Sequence, residues 1–281
     1  KNEPVPDAAE PVIADRSIWH DGGDVGVLLI HGLGGTPVEL RYVAQGLARA
    51  GYTVYCCQLA GHCGTADELR WSTWKQWYAS VEAAHDRLKA CCDTIIAGGL
   101  SMGGVLALHL AHQRRQDVHG LALYAPSLRL DGWSMPWYSF ILRMLRPFCI
   151  HIDYDMPEHE PHGIKDERIR KLIMRAMGQG NSVDAGLAST PSQSIRELWK
   201  LVAEVKPQLP EIKTPTLVVH AREDDISDLS NTIYLQRHLG GVVDALVLDD
   251  SYHIVTIDRQ RSLVVDRSAA FARWITRLAE K

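Results

Sequence analysis

The sequence predicts an α/β fold in which a mostly parallel, twisted sheet is flanked by helices and carries an inserted helical segment. Short continuous apolar runs, such as residues 26–30, are typical of strands buried on both faces of a parallel sheet. These runs alternate with stretches of helical spacing, which indicates right-handed crossovers between neighbouring strands. The alternation is interrupted once, between residues 127 and 206, and then resumes.

The first elements follow a strand, loop, helix order. Residues up to about Ile18 are predicted to form an extended, proline-bearing arm, and residues 26–30 form the first buried strand. After a glycine-rich loop, the stretch 36–39 reads Thr-Pro-Val-Glu, which has the pattern of a capping box with proline at the first helical position. We therefore expect a helix that ends near Ala50, with Gly51 as its stop.

The next elements repeat this order. Strands are expected at 53–57 and 94–98, and a helix follows the second of them. Between these strands, apolar residues recur at intervals of three and four, which predicts an amphipathic helix. These residues are Trp74, Trp77, Val81, Ala84 and Leu88. We expect this stripe to pack in the core rather than to form a platform for a ligand.

The interruption predicts a cap domain. After a strand at 121–126, no buried-strand run appears until residue 207, and the intervening chain is rich in large apolar side chains with helical segments at 166–174 and 194–205. Such a segment must bury its apolar surface against the main domain or a ligand. We expect residues 127–206 to form a helical cap, and residues 1–126 and 207–281 to form the core.

The core pattern resumes after the insertion. Strands are expected at 214–221 and 245–248, with a helix at 230–239 between them and a long closing helix at 261–279. Each strand is followed by a polar loop. Because parallel strands end at the same edge of a sheet, these loops are expected to meet there.

Composition excludes several classes of protein. The chain of 281 residues has 46% apolar and 23% charged residues and a net charge of −4, so it has no basic face for nucleic acid. No apolar run is long enough for a membrane-spanning helix, and the first residues lack the apolar core of a signal peptide. The six cysteines show neither a disulfide pattern nor zinc-ligand spacing. We expect reduced thiols, no metal and a cytoplasmic location.

The stretch 99–103, Gly-Leu-Ser-Met-Gly, is the strongest sign of chemistry. It stands between an apolar strand and a helix-compatible run. Glycines two residues either side of Ser101 allow a turn too sharp for neighbouring Cβ atoms, which lifts the serine hydroxyl out of the sheet. This predicts that Ser101 is a nucleophile.

A serine nucleophile requires a base and an acid that orients the base. Asp224 follows one late strand and His253 follows the next, in the order Ser, Asp, His that accompanies strand-turn-helix nucleophiles. Asp225 is the alternative acid. Other histidines are expected elsewhere. They lie in the glycine loop (His31), in the helix after Ser101 (His109, His112), inside a strand (His220), or in a solvated polar stretch that does not have metal-ligand spacing (His151, His159, His162).

Backbone amides are the expected donors to a tetrahedral oxyanion. The amide of Met102 follows the nucleophile and begins a helix, whose N-terminal dipole favours negative charge. The second donor is expected from the loop 31–35, most simply the amide of Leu33. Phosphate binding by this loop is the alternative, but the loop has neither the Lys-Ser/Thr ending of a P-loop nor dinucleotide-binding spacing.

The motifs at 31–35, 99–104, 221–225 and 251–253 together resemble those of the α/β-hydrolase superfamily, in particular bacterial carboxylesterases related to monoacylglycerol lipases. The resemblance spans about residues 26–277. It implies the α/β-hydrolase fold with a helical cap. It also implies that Ser101 is the nucleophile, His253 the base and Asp224 the acid that orients the base. The implied oxyanion donors are the backbone amides of Leu33 and Met102.

Two residues depart from the family pattern. Tyr252 stands where such enzymes usually have glycine before the histidine, and Cys63 stands where a Gly-His-Gly loop is common. Neither change removes a catalytic group. Tyr252 is expected to narrow the substrate pocket or to offer it a hydroxyl.

The predicted function is cofactor-free hydrolysis of carboxylic esters, with short- to medium-chain acyl esters or monoacylglycerols as substrates. The cap is expected to supply an apolar acyl pocket. Its candidate residues are Trp133, Trp137, Tyr138, Phe140, Ile141 and Met144. The same triad also serves thioesterases, amidases, acyltransferases and enzymes that cleave a carbon–carbon bond beside a ketone. A ligand receptor on the same fold is the non-enzymatic alternative, and the intact triad argues against it.

Overall fold

A seven-stranded sheet forms the centre of the protein. The computed structural model describes residues 13–135, 155–157, 160–178, 186–187 and 189–280. The strands of the main sheet are β1 Ile18–His20, β2 Val25–Ile30, β3 Thr53–Cys57, β4 Thr94–Leu100, β5 Gly120–Tyr124, β8 Thr216–Ala221 and β9 Val243–Leu248. Two further strands, β6 Asp155–Pro157 and β7 Ser189–Pro191, pair with each other.

The described helices account for the rest of the regular structure. The α-helices are α1 Arg41–Arg49, α2 Ala66–Trp71, α3 Trp74–Lys89, α4 Met102–Gln113, α5 Glu167–Gly178, α6 Ser192–Val205, α7 Ser230–His238 and α8 Arg261–Ala279. Two segments, Pro37–Leu40 and Lys206–Glu211, are 3-10 helices.

The main sheet is parallel except at one edge. Its strand order is β1-β3-β2-β4-β5-β8-β9, and only β1 runs antiparallel to its neighbour. The predicted mostly parallel sheet flanked by helices is therefore confirmed. Strand β1 was not predicted: the end of the expected extended arm pairs with β3, where Ile18 lies opposite Cys56 and His20 lies opposite Val54.

Alternate strand residues separate two apolar layers, as the period of two in a strand requires. Leu28 and Ile30 face the layer that contains α3, α4 and α6, whereas Val27 and Leu29 face the layer that contains α1 and α8. Trp77 is fully buried in the first layer. The tryptophan-bearing stripe of α3 thus packs in the core, as expected.

The predicted capping box at Thr36 is replaced by a different contact. The Thr36 hydroxyl does cap the segment by accepting a hydrogen bond from the Val38 amide, but the first turn is a 3-10 helix and α1 begins only at Arg41. The carboxylate of Glu39 reaches back to the Gly32 amide, at 3.2 Å. The Glu39 side chain therefore binds the loop after β2, instead of capping the helix as the local pattern predicts.

The described parts of the insertion rest on the core. Helix α6 packs against α4 and α2, and the amide of Leu187 donates to the carbonyl oxygen of Gly34 at 3.0 Å. The expected division into a core and a cap of residues 127–206 stays a prediction. No helix in the described part of the chain combines the length and the apolar character that crossing a bilayer requires.

The described cysteines are free thiols. Cys56, Cys57, Cys63 and Cys92 are buried and Cys91 is exposed, while Cys149 lies outside the described residues. Burial raises the pKa of the Cys57 and Cys63 thiols to about 12, so both are protonated near neutral pH. Buried protonated thiols are poor nucleophiles and behave as small apolar side chains.

Candidate active site

The strand order places the site at a topological switch point. From β2 the chain crosses to β3 on one side, and it later returns to β4 on the other side of β2. The loops that leave the carboxyl ends of β2 and β4 therefore diverge to opposite faces of the sheet and open a crevice between them. The first of these loops contains residues 31–35, and the second contains Ser101.

Ser101 occupies a strained turn between β4 and α4. Its φ of 54° lies in the left-handed region, which is unfavourable for a residue with a Cβ, and its amide donates to the Tyr124 carbonyl oxygen at 2.8 Å. A Cβ on Gly99 would lie 2.4 Å from the carbonyl carbon of Gly103, and one on Gly103 would lie 2.0 Å from the carbonyl oxygen of Ile30. The turn therefore requires glycine on both sides of the serine.

The loop after β2 closely approaches Ser101. A Cβ built on Gly32 would lie 3.6 Å from the Cβ of Ser101, and Leu33 lines the same cavity as Ser101. Met102 is the first residue of α4, whose unpaired N-terminal amides carry partial positive charge. The two candidate oxyanion donors, the amides of Leu33 and Met102, thus belong to the residues that directly follow Gly32 and Ser101, where the two loops meet.

The peptide that precedes the Leu33 amide is held in place by His31. The Nδ1–H of His31 donates to the Gly32 carbonyl oxygen at 2.9 Å, and its Nε2 accepts from the Leu59 amide at 3.2 Å. Burial lowers the pKa of His31 to about 4, which keeps the ring neutral and able to accept. Because the Gly32 carbonyl and the Leu33 amide belong to one planar peptide unit, this contact orients the candidate donor.

Asp224 and His253 meet at the carboxyl ends of β8 and β9. The Nδ1–H of His253 donates to the Asp224 carboxylate, at 2.8 Å from Oδ2 and 3.0 Å from Oδ1. Both side chains are buried, and His253 lines the cavity that contains Ser101. With its proton held on Nδ1, the neutral imidazole keeps a lone pair on Nε2, as a general base requires.

Asp225, the alternative acid, has a different partner set. Its carboxylate accepts from the Gly163 amide at 2.9 Å and from the His253 backbone amide at 3.2 Å. Asp225 therefore joins the insertion to the backbone of the histidine loop, while Asp224 contacts the imidazole. Asp258 joins the same two segments by accepting hydrogen bonds from the amides of Lys165 and Tyr252.

The pKa shifts follow from these contacts. Burial alone would raise the pKa of the Asp224 carboxyl, but the charge and hydrogen bonds of His253 and His220 hold it below its usual range. Burial alone would lower the pKa of His253, but the Asp224 carboxylate beside it raises the pKa above 6.5. Burial raises the pKa of Asp225, and the nearby Asp224 charge adds to this effect. Asp224 is thus ionised wherever His253 is neutral.

Within the described chain, the Ser101 hydroxyl is hydrogen-bonded to Ser127. The two Oγ atoms lie 2.9 Å apart, and Ser127 itself donates to the Ala125 carbonyl oxygen at 3.3 Å. Ser127 therefore accepts the hydroxyl proton of Ser101 in this rotamer. Rotation about the Ser101 side chain would turn that proton toward another acceptor in the cavity.

The cavity beside Ser101 has a volume of about 160 Å³ and a mostly apolar wall. Its apolar side chains come from the sheet edge and from the insertion. They are Leu33, Leu100, Leu130, Met135, Met156, Pro157, Ile195, Leu198, Ile226 and Ile254. Polar side chains besides the catalytic candidates are Glu39, Ser134, His162 and Thr190.

The predicted pocket residues fall into two groups. Trp137, Tyr138, Phe140, Ile141 and Met144 lie outside the described residues. Trp133 and Tyr252 are described, but they are not among the residues that line the cavity. They contact each other edge to face at 5.6 Å, and Trp133 is 60% exposed. The ammonium of Lys165 lies beside this aromatic pair, 5.3 Å from the centre of the Tyr252 ring.

Four polar cavity residues were missed in the sequence, and two of them had been given other roles. Glu39 was interpreted as a helix cap, and His162 as part of a solvated stretch, yet His162 is buried with a φ of 55°. His162 is carried into the cavity because the next residue, Gly163, binds Asp225 and the Ile254 amide. The Pro-His-Gly sequence at 161–163 predicts a turn, but a turn is no signal of burial, so the sequence carries no local sign of this position.

Comparisons with known proteins identify the family of the chain. The family model described as serine aminopeptidase S33, Hydrolase_4, matches residues 24–260. A thermostable monoacylglycerol lipase of Bacillus sp. (strain H-257) is 30% identical over 95% of this chain and 96% of that protein. A carboxylesterase of Bacillus subtilis (strain 168) is 26% identical over 90% of this chain and 94% of its own length.

Solved structures show the same fold. A structure from a study of LipS and LipT, two metagenome-derived lipolytic enzymes, has a TM-score of 0.79 and 30% identity over 92% of this chain and 96% of that chain. A soluble variant of monoglyceride lipase from Saccharomyces cerevisiae has a TM-score of 0.75 at 16% identity, over 97% and 98% of the two chains. The chain therefore belongs to the Hydrolase_4 family of α/β-hydrolases.

Proposed function

We propose that this protein hydrolyses carboxylic esters through an acyl-enzyme formed on Ser101. The observation that carries the proposal is the constellation of Ser101 in a strained strand-to-helix turn and a buried Asp224–His253 pair, with serine and histidine lining one cavity. In this constellation the imidazole can remove a proton from the hydroxyl, and the carboxylate stabilises the imidazolium that forms.

In the first half of the reaction, Oγ of Ser101 attacks the ester carbonyl carbon while its proton passes to Nε2 of His253. The carbonyl oxygen becomes an oxyanion and accepts hydrogen bonds from the amides of Leu33 and Met102. When this intermediate collapses, the bond to the alkoxy oxygen breaks. His253 returns its proton to that oxygen, and the alcohol leaves.

In the second half, water attacks the acyl carbon and gives a proton to His253. The second tetrahedral intermediate uses the same two amides. Its collapse breaks the bond to Oγ of Ser101, which regains the proton from His253, and the carboxylic acid leaves. All atoms of ester and water are then accounted for in acid and alcohol, and the enzyme returns to its starting state.

The cavity wall supports a short- to medium-chain acyl group as the substrate. Apolar side chains such as Leu130, Met135 and Ile195 can cover a hydrocarbon chain, and about 160 Å³ is a small volume for a ligand site. The Glu39 carboxylate beside the cavity disfavours a negatively charged substrate. Since relatives include a monoacylglycerol lipase and a carboxylesterase, monoacylglycerols and simple alkyl esters are the substrates to compare.

The experiment that tests the proposal is turnover of p-nitrophenyl butyrate by Ser101→Ala. We expect kcat to fall by about 10⁴-fold or more while the protein remains folded. Ser80→Ala removes a hydroxyl that binds the Ala60 amide outside the site and serves as the matched control. Full activity in a folded Ser101→Ala enzyme would refute the mechanism.

Acyl bonds other than esters are a second class of substrate to measure. The family description names an aminopeptidase, and a Ser-His-Asp triad also serves enzymes that cleave amides and thioesters. Comparing p-nitrophenyl esters from acetate to laurate with a p-nitroanilide and a thioester of the same acyl chain would rank the leaving groups. We expect the ester of a short or medium chain to have the highest kcat/KM.

A further inference from the structure

A second histidine, His220, lies behind the catalytic acid. It is the last but one residue of β8, with 0% of its surface exposed, between the equally buried Val219 and Ala221. Burying an imidazole costs free energy unless its ring nitrogens find partners. The contacts of His220 therefore indicate what the residue does in this position.

Each nitrogen of His220 has a defined role. Nε2 lies 2.7 Å from the Ser227 carbonyl oxygen and 3.2 Å from Oδ2 of Asp224, while Nδ1 lies 2.9 Å from Oγ1 of Thr232. A carbonyl oxygen only accepts, so Nε2 carries the proton. In the neutral ring Nδ1 then accepts from the Thr232 hydroxyl. The hydrogen bonds thus run from Thr232 through His220 to the Ser227 carbonyl oxygen, and Oδ2 of Asp224 lies 3.2 Å from the same Nε2–H.

The two oxygens of Asp224 are anchored differently. Oδ1 accepts from the amides of Ile226 and Ser227, at 2.9 and 2.7 Å. Oδ2, the oxygen at 2.8 Å from His253, also lies 3.2 Å from Nε2 of His220, whose N–H has the Ser227 carbonyl oxygen as its nearer acceptor. The two backbone amides hold the carboxylate through Oδ1, and the polar N–H edge of His220 lies beside Oδ2. Without His220, less of the negative charge on Oδ2 would be offset, and its attraction to the His253 imidazolium would be stronger.

We propose that His220 is a positioning residue of this active site, whose Nε2–H lies beside Oδ2 of Asp224 and limits how strongly that carboxylate stabilises the His253 imidazolium. The inference rests on the proposed function, because His220 acts on the reaction only through the Asp224–His253 pair. It adds a fourth side chain to the nucleophile, base and acid.

The sign of the expected effect follows from the groups around His253. That ring faces Asp224 and Asp225 from the loop after β8, Glu39 from the 3-10 helix, and His162 from the insertion. All four remain when His220 is replaced. Loss of the N–H beside Oδ2 then strengthens the attraction between the carboxylate and the imidazolium, which raises the pKa of His253. The acid limb of kcat/KM therefore moves to higher pH.

The test compares the pH dependence of kcat/KM for p-nitrophenyl butyrate in wild type, His220→Leu and His220→Gln. We expect the acid limb of the leucine variant to move up by about half a pH unit or more, with kcat reduced by about 10-fold. Glutamine places an amide N–H near the position of Nε2 and should restore the wild-type limb. His109→Leu removes another buried histidine, bonded to Gln208 away from the site, and should leave the limb unchanged.

The position of the acid limb in the pH profile of kcat/KM distinguishes this role from a merely structural one. A folded His220→Leu enzyme with an unshifted acid limb overturns the inference. If that variant fails to fold, His220→Asn replaces it, because asparagine is one methylene shorter than glutamine and cannot reach Asp224 in the same way. If the acid limbs of the asparagine and glutamine variants then had the same pH midpoint, the proposed role of His220 would be overturned. Full turnover by Ser101→Ala would instead refute the proposed function, and these outcomes are therefore distinguishable.

Discussion

The Nδ1 atom of His253 lies 2.8 Å from Oδ2 of Asp224, and the two residues are only 4% and 3% exposed. Water is therefore largely excluded from the pair, which strengthens the attraction between carboxylate and imidazolium. This contact fixes the tautomer of the His253 imidazole and raises its pKa. The first two predictions depend on it.

Asp224→Asn should reduce kcat by about 10⁴-fold, because an amide can hold the imidazole in the wrong tautomer and cannot stabilise its charge. Asp225→Asn is the matched control at the neighbouring position. It alters hydrogen bonds to the Gly163 and His253 amides, so we expect a lower melting temperature and a much smaller loss of kcat. Steady-state kinetics of both variants with thermal unfolding would check this. The reverse ranking would assign the acid role to Asp225.

The activity of the wild-type enzyme should be lost as the pH falls through a midpoint above 6.5. In the proposed mechanism the neutral form of His253 is the base. Burial alone would lower the pKa of this imidazole, but the Asp224 carboxylate raises it above its ordinary value, so protonation begins at a higher pH than in a free histidine. In Asp224→Asn the residual activity should have a lower midpoint, because burial then dominates. A kcat/KM profile measured at constant ionic strength gives both midpoints, and a wild-type midpoint well below 6.5 would contradict the account.

His31→Ala should lower kcat by roughly 10- to 10²-fold, which is less than the loss of a whole oxyanion donor. The substitution releases the Gly32 carbonyl oxygen, so the Leu33 amide on the same peptide loses its fixed orientation. Asparagine can keep a donor near the position of Nδ1, and His31→Asn should therefore recover part of the activity. Equal kcat values for wild type and a folded His31→Ala would show that the loop holds its geometry without this contact.

Gly103→Ala should destabilise the fold by about 3 kcal/mol, because its Cβ would lie 2.0 Å from a backbone oxygen of β2 that cannot move away. Gly104→Ala is the neighbouring control. Its Cβ would contact the Gly99 carbonyl oxygen and Pro126 at 3.3 Å, and alanine favours the helix, so a change within about 1 kcal/mol is expected. Denaturant unfolding of both variants measures the difference. Similar stabilities would show that the turn tolerates a side chain at 103.

The catalytic candidates could be predicted because their signals are local. The glycines around Ser101 are required by contacts within the turn itself, and Asp224 and His253 each follow an apolar run that becomes a strand of the confirmed parallel sheet. The ends of neighbouring parallel strands meet at one edge whatever the side chains beyond them. Sequence position therefore sufficed to bring these residues together in the hypothesis.

Other features depend on contacts between distant parts of the chain. The pattern from Thr36 to Glu39 fits a capping box, but the tertiary bond to Gly32 competes for the same carboxylate and prevails. His162 enters the cavity because Asp225, far along the chain, binds the Gly163 amide. His220 looks like an ordinary strand residue until Asp224 and Thr232 are placed around it. Three-residue strands such as β1 are too short to show a period.

The most direct test of the central claim is to find the residue that an acyl-transfer inhibitor modifies. Phenylmethylsulfonyl fluoride should inactivate the enzyme as one sulfonyl group per chain is added, and peptide mass spectrometry should place that group on Ser101. Inactivation should slow when His253 is replaced by glutamine, since the base that activates the hydroxyl is then absent. Complete inactivation with the label on another residue and Ser101 unmodified would contradict the account.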